Sequence, residues 1–463
     1  MVTSMLKDNI LRSFVFVYAG LNLIYYFLPL DILFHVSTGL LIYILVSSMI
    51  ELPNSSRAAI GGLFGCSAAL MIAGDATWEQ WMTGLGKNGL LVSMFTFAPL
   101  LHLPFSFDDY QRELKNVAKA HMHTLIPFNF LIALATHMFA ALTGFAAFAI
   151  MYHLFLHISR LYDAEDIFIS TLGRSYATSG FWGTSWVSVA LVVSELHIPW
   201  YRVIVVGSIF TLVSIAIMLL SIKLKMIRNP KRFPILSPDE NTRVDWRRLW
   251  MMIGLSFSIV GAILILNLVS DWSLLAIVSL VGLALPILIA LMQKKGTEYR
   301  RGAGDYASKF LLKARVNTCI FSTAGLLAYA LEISRVGEKI PELIPSAFMG
   351  VPWLMVLCIM LLIIIPGQMG IHPVATGTTL VAAIVPAMFG LSVPEFALAI
   401  ICAWLLSNML SPFSALNLTL SGLSGRSSWQ TGLKLNWAYG LVCLLVYSVL
   451  IFVLAPLLGR PGG

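Results

Sequence analysis

The chain has 463 residues, 58% of them hydrophobic and 11% charged, with mean hydropathy +0.86, whereas soluble domains run to about 25% charged and about 45–50% apolar. A soluble globular fold is excluded, and no polar block is long enough to fold alone. The formal charge of +8 would direct a soluble protein toward nucleic acid; in a bilayer protein no nucleic-acid partner is expected, and the question becomes which side of the membrane holds the cations.

A helix needs roughly 20 apolar residues to cross a bilayer. Lys7 and Arg12 precede the first apolar run, Phe14–Leu28, and no small-residue cleavage signature follows, so this run reads as a retained leading helix rather than a signal peptide. Simple crossings follow at Ile32–Met49, Arg57–Ala73 and Asn88–His102. The polar stretch from Phe107 to His123 reads as an interfacial amphipathic helix, either bracing a scaffold against a moving unit or simply closing a loop. Ile126–His157 is an apolar run of 32 residues. It reads as a re-entrant hairpin with its tip near Ala135–Met138, or else as one tilted helix about 48 Å long. Ser175–Leu196 is a crossing rich in Gly, Ser and Thr, and Tyr201–Ile222 closes the first half.

The basic segment Lys223–Arg248, with Asn229-Pro230, Phe233-Pro234 and Ser237-Pro238, reads as a linker. Crossings recur at Leu249–Val269, Trp272–Gln293 and Val316–Ile333, with Ser308–Lys313 as a second interfacial helix and a polar stretch at Ser334–Phe348. Val351–Phe389 is predicted as a second hairpin, Pro394–Leu423 as a second interrupted crossing and Gly432–Leu457 as the closing helix. Cys66, Cys319, Cys358, Cys402 and Cys443 sit singly in apolar segments and read as small core residues.

If both hairpins return to the side they start from and the N-terminus is inside, 25 of the 30 Lys and Arg residues fall inside, leaving Lys87, Arg202, Arg335, Lys339 and Arg460 outside. This positive-inside bias predicts a multi-pass protein of the cytoplasmic membrane with a cytoplasmic N-terminus. The order of elements from Ile32 to Ile222 then recurs from Leu249 to Leu457 with every sense reversed. The predicted fold is an all-α polytopic membrane protein of two inverted repeats. Each has about five transmembrane helices and a re-entrant hairpin, with broken helices at the centre. The leading helix and first repeat occupy 1–224, a cytoplasmic linker 225–248, and the second repeat 249–463. Secondary transporters are commonly built this way, with solute and coupling ions held near the midplane.

On this topology no Asp, Glu, Lys or Arg lies deep in either hairpin or either broken crossing, so ions would be held by backbone and neutral side chains. The first break is predicted within Ser179–Trp186, where two glycines and three hydroxyl residues permit unwinding; Ser179, Gly183, Thr184 and Ser185 are its candidate ligands. The alternative here is a continuous helix packed closely through small residues. The second break is predicted within Ser407–Asn417. Pro412 removes a backbone donor and displaces the carbonyl of Asn408, which makes Ser407, Asn408, Ser411, Pro412, Ser414 and Asn417 candidates. The second tip, Pro366–Pro373 followed by Thr376–Thr379, cannot be a continuous helix and offers Gln368, Gly370, His372 and Thr376; the first offers Thr136 and His137. His137 and His372 fall at corresponding places in the two repeats. Each is either an interior hydrogen-bonding group or a proton carrier that would make transport pH-dependent.

His121, His123, His153 and His157 raise a rival reading, an intramembrane haem or metal redox protein, because His153 and His157 lie one helical turn apart. All four sit at the inner ends of their segments, which fits interfacial histidines better. No HExxH, Ser–His–Asp set or phosphate-cradling glycine loop stands out, so no enzymatic activity, cofactor or resident metal is expected.

Ser407-Asn408 and Ser411-Pro412, set against Gly367–Pro373, resemble the ion-transporter superfamily, which includes divalent-anion:sodium symporters and arsenite permeases. The likeness is architectural from Ile32 to Leu457 and short in motif. Symporters of that group carry Ser-Asn-Thr at each tip and each break; Ser407 and Asn408 match its first two residues, Met409 departs from the third, and Ser179-Gly180-Phe181 stands in the first half. The resemblance implies elevator-like movement of a transport unit against a scaffold, often in a homodimer. The sequence thus reads as a secondary carrier for a small, organic anion, coupled to Na⁺ or H⁺. A cation/proton antiporter on the same scaffold is the alternative, weakened by the lack of a buried carboxylate.

Overall fold

With no water in a bilayer core, an apolar run has to satisfy its own backbone hydrogen bonds, and every regular element among the described residues is helical. The computed structural model describes residues 2–51, 54–143, 145–184, 186–237, 239, 241–309, 311–334 and 351–459. Among them, eight helical stretches are long and apolar enough to cross a membrane: Asp31–Ile50, Trp78–Ser106, Trp200–Arg228, Trp246–Val269, Leu274–Met292, Ala314–Ser334, Val393–Ser424 and Gln430–Leu458. The chain is a multi-pass membrane protein.

α1 (Val2–Phe27), α2 (Asp31–Glu51) and α3 (Asn54–Ala73) open the chain. The crossing predicted at Asn88–His102 begins earlier, as α4 (Trp78–Gly86), where Thr77 and Gln80 form a reciprocal cap. It continues as α5 (Gly89–Phe97) and then as a tight 3₁₀ run, Ala98–Ser106, in which Pro99 and Pro104 withhold α-helical donors. The predicted interfacial helix is α6 (Tyr110–His121).

α7 (Leu125–Thr143) and α8 (Phe145–Leu161) form the first hairpin. The end of α8 returns to the start of α7: Phe155 and Tyr162 lie 6.0 and 5.0 Å from the Phe128 ring, and the Tyr162 hydroxyl donates to the Met122 carbonyl at 2.6 Å. The tilted-rod alternative is thereby excluded. α7 runs unbroken through the predicted tip at Ala135–Met138 as far as Thr143, so the reversal lies beyond it. Those four residues contain neither Gly nor Pro, so nothing interrupts the helix there.

α9 (Glu165–Thr178) and α10 (Val187–Glu195) are the halves of the first interrupted crossing, and α11 (Trp200–Arg228) closes it. α11 stays helical through the first part of the predicted linker until Asn229-Pro230 stops it. The remaining linker is strapped along α6: Leu236 N donates to His123 O (2.9 Å), Asp239 N to Lys119 O (3.2 Å) and Asp245 N to Glu113 Oε2 (2.9 Å). Within the strap, the Thr242 hydroxyl donates to Asp239 at 2.6 Å and holds that carboxyl below its ordinary range.

α12 (Trp246–Val269), α13 (Leu274–Met292), α14 (Gly296–Lys309) and α15 (Leu311–Ser334) follow. The interfacial helix predicted at Ser308–Lys313 is displaced: α14 gathers the polar residues from Gly296 onward, Leu311 already belongs to α15, and Phe310 lies outside the described residues. Of the polar stretch predicted at Ser334–Phe348, all but Ser334 lies outside them too. α16 (Pro352–Gln368) and α17 (Pro373–Ala383) make the second hairpin. α18 (Val393–Leu410) and α19 (Ala415–Ser424) make the second interrupted crossing, and α20 (Leu435–Leu454) closes the chain.

Two bundles result. In the first, α1 packs on α2 and α5, α13 on α5, and α15 on α3 and α4. Membrane helices gain little from apolar burial against lipid and depend on close approach and polar ties. Accordingly, the Ser93 hydroxyl donates to Ala19 O at 2.7 Å, and the Asn88 amide to Phe321 O at 2.9 Å. The second bundle holds both hairpins and both interrupted crossings, with α7 on α9, α16 on α18, and α9 beside α18. The bundles meet where α15 lies along α17, the 3₁₀ run along α7, and α13 against α10. α6 touches both α8 and α12, which places it between a hairpin arm and the first bundle.

Candidate functional site

Both predicted helix breaks exist, and each is met by the hairpin that precedes it. At the first, α9 tightens into the 3₁₀ turn Ser179–Phe181 and regular helix resumes only at Val187. Indole groups fill the gap. Trp200 donates to Trp182 O (2.9 Å), Trp186 to Ser179 Oγ (2.9 Å), and Trp182 to His137 Nε2 (3.1 Å). Because Nε2 accepts, the imidazole proton sits on Nδ1, which faces Thr178 Oγ1 at 3.2 Å. His137 is therefore a neutral interior group with both nitrogens in use. It lies within α7, not at the tip, so its predicted equivalence with His372 fails. Gly183 N donates to Ser179 O (2.9 Å), while Thr136 Oγ1 and Thr184 Oγ1 are buried with no hydrogen-bond partner among the described residues. Ser185 lies outside the described residues.

Gly180 lets the two interrupted crossings touch: a Cβ there would lie 2.3 Å from Leu405 Cδ2 and 2.7 Å from Trp186 Cδ2. Gly180→Ala is expected to destabilise the protein by about 1–3 kcal/mol through overpacking, read as a lower midpoint in thermal unfolding of the detergent-solubilised protein.

At the second break the helix ends at Leu410, and Pro412 leaves carbonyls of the preceding turn without their usual donors. Asn417, from the next helix, supplies them: its amide nitrogen lies 2.9 Å from both Met409 O and Ser411 O and 3.4 Å from Asn408 O. Ser414 accepts from Asn417 N at 3.1 Å and caps α19. The Ser411 hydroxyl donates to Gly367 O (2.6 Å) and accepts from Phe413 N (3.1 Å), tying hairpin tip to break. Gly370 turns the tip with φ +92°, a conformation that favours glycine. His372 sits at this tip as the cap of α17, its Nδ1 accepting from Val374 N at 3.2 Å. Thr376 is one turn into α17 and bonds back to Pro373 O (3.3 Å).

Among the described residues, three buried oxygen atoms at this junction have no hydrogen-bond partner: Ser407 Oγ, Gln368 Oε1 and Asn417 Oδ1. Asn408 and Ser414 are half-buried, and Phe413 and Met369 are exposed beside them. Gln368, Gly370, His372, Ser407, Asn408, Ser411, Pro412, Ser414 and Asn417 thus converge in one place. Thr136, His137, Ser179, Gly183 and Thr184 converge in another. The two interrupted crossings run antiparallel, with Gly173 of α9 beside Leu420 of α19 and Gly180 beside Leu405 of α18. Each break thus has its own hairpin tip, and the two interrupted crossings meet where Gly180 lies beside Leu405.

One functional candidate escaped the sequence reading, and it corrects the expectation that no charge lies deep in the broken crossings. Arg174 belongs to α9 and is 5% exposed. Its Nε donates to Asn436 Oδ1 (2.9 Å), its Nη2 to Leu435 O (3.0 Å), and its guanidinium stacks on the Tyr439 ring at 4.3 Å. The signal was available: Glu165 and Asp166 mark a helix start, which places Arg174 more than two turns inside. His153 and His157, on which the redox rival rested, lie exposed on α8.

No family model and no curated protein sequence matches the chain. Among solved structures, the fold matches that of the YdaH transporter of Alcanivorax borkumensis, described as having an unusual topology. The TM-score is 0.54 at 14% identity, over 87% of this chain and 98% of that one. At that identity the likeness is one of fold.

Proposed function

We propose that this protein is a secondary active transporter of the cytoplasmic membrane that carries a small, organic anion in symport with Na⁺, the second bundle moving against the first in an elevator-like manner. The observation that carries the reading is the second junction. Buried oxygen atoms without donors suit a dehydrated cation, and the first turn of α19 presents the positive end of a helix to an anion. A fold shared with a transporter supports carriage. The order of hairpin, interrupted crossing and closing helix occurs at α7–α11 and again at α16–α20, with the interrupted helices antiparallel. This supports inverted repeats over 1–224 and 249–463, joined by the 225–248 linker; the excess of Lys and Arg on one side supports a cytoplasmic N-terminus. The antiporter alternative would need an ionisable relay, and the hydrogen bond from Trp182 holds His137 neutral.

A ligand that binds only the native state raises its apparent stability, by about 2.7 kcal/mol at a hundred times its Kd. NaCl is therefore expected to raise the thermal midpoint above that in equimolar KCl, and a panel of carboxylates to raise it further only with Na⁺. Ser407→Ala should abolish the sodium effect. Equal midpoints in the two salts would overturn sodium coupling. Proton movement in proteoliposomes after a Na⁺ pulse, with no organic solute, would favour the antiporter.

A further inference from the structure

Arg174 is a buried cation that the carrier reading has not yet used, and it is wired to the second junction from the other half of the chain. The Asn436 amide, whose oxygen Arg174 holds, donates to Thr431 O (2.8 Å) and Gly432 O (2.9 Å). The Thr431 hydroxyl donates to Asn417 O (3.1 Å), and the Asn417 amide reaches the carbonyls of the break. Arg174, Asn436, Thr431 and Asn417 are all at least nine-tenths buried. Residues Gln430–Lys434 form a π-turn, a feature frequent at functional sites. Gly432 within it passes so close to the break that a Cβ would lie 2.8 Å from Leu410 O.

The charge of Arg174 is not cancelled locally. Among the described residues no carboxylate pairs with it; Tyr439 and Cys443 of α20 are its ionisable neighbours, and Lys225 of α11 adds a second positive charge nearby. A cavity of ≈ 10 Å³, about the size needed for one water, lies between Arg174, Thr178, Leu406, Met409, Tyr439 and Tyr447. Met409 is also a carbonyl partner of Asn417, so the guanidinium and the break share a wall. An unpaired charge buried among membrane-spanning helices is costly, which makes Arg174 a candidate for function.

Resting on the carrier reading, we propose that Arg174 is the positioning residue that sets the charge selectivity of the second junction. Through Asn436 and the π-turn it fixes the carbonyls of the break, and its field makes the junction attractive to an anionic solute. It does not touch that solute.

The test reads electrostatic potential directly and needs no known substrate. Cys66 and Cys358, the two cysteines that are not fully buried, are replaced by serine, and Phe413→Cys supplies a thiol at the exposed side of the break. Its reaction rates with anionic and cationic methanethiosulfonate reagents are divided by those of a small free thiol. The normalised ratio is expected to favour the anionic reagent several-fold, to lose that preference in Arg174→Gln and to keep it in Arg174→Lys. An unchanged ratio in a folded Arg174→Gln protein overturns the proposal. So does a preference for the cationic reagent, or no reaction with either, when Arg174 is intact, and those outcomes stand even if Arg174→Gln fails to fold. An anionic preference without any sodium effect on stability would instead remove the sodium coupling of the carrier reading and leave the field of Arg174 established.

Discussion

Asn417→Ala is expected to abolish both sodium-dependent stabilisation and solute uptake and to lower the thermal midpoint. The side chain is 1% exposed and its amide is the donor to Met409 O and Ser411 O at the helix break. Removing it strands two carbonyls in a medium with no water to replace the donor, at a cost of about 2–4 kcal/mol for the pair. Ser414 would still cap α19 through the Asn417 backbone, so the loss falls on the break rather than on the helix that follows. Asn417→Asp is the informative companion. It keeps the size and one oxygen but exchanges the donating nitrogen for an acceptor facing carbonyls, so it should be at least as damaging. An Asn417→Asp protein with wild-type uptake and midpoint would refute the donor role. Thermal unfolding and proteoliposome uptake in Na⁺ and in K⁺ measure the two effects separately.

Gly207→Ala is expected to be strongly destabilising. Gly207 of α11 lies against the first break, and a Cβ there would sit 2.6 Å from Phe181 O and 2.9 Å from Phe181 C. These are backbone atoms that cannot rotate aside as a leucine methyl can. The strain would therefore displace α11 from the break and stretch the bond from Trp200 to the Trp182 carbonyl. The expected cost is about 3 kcal/mol, at the upper end of the overpacking range. Gly261→Ala in α12 is the control, because nothing lies within 4 Å of its added methyl. There the helix preference of alanine should leave the protein unchanged or more stable by up to about 1 kcal/mol. Equal midpoints for Gly207→Ala and wild type would show that α11 and the first break are not in contact.

Much of the second junction could be read from residue order, because its signals are local. Pro412 cannot donate a backbone hydrogen bond, Gly370 tolerates a left-handed turn, and Ser414 suits a helix start, whatever surrounds them. The first hairpin tip was misplaced because Ala135–Met138 looks polar in an apolar run. The histidine that creates that impression is explained by a tryptophan 45 residues away, a pairing that no local pattern encodes. Arg174 was assigned to a loop for a related reason. Counting cations by side treats every arginine near a span's end as solvated, while this one is satisfied by Asn436 and Leu435, 262 and 261 residues distant.

What the sequence determined by itself was the solvent and the interruptions. Apolar runs of span length, and glycine and proline at fixed places within them, specify a polytopic helical protein with two hairpins and two broken crossings, because hydropathy and backbone freedom are properties of short segments. Only the tertiary structure decided that each break is met by its own hairpin and that a buried cation from one half is tied to the break in the other. That arrangement depends on close approaches such as Gly180 on Leu405 and Gly432 on Leu410, which exist only once segments remote in sequence have met.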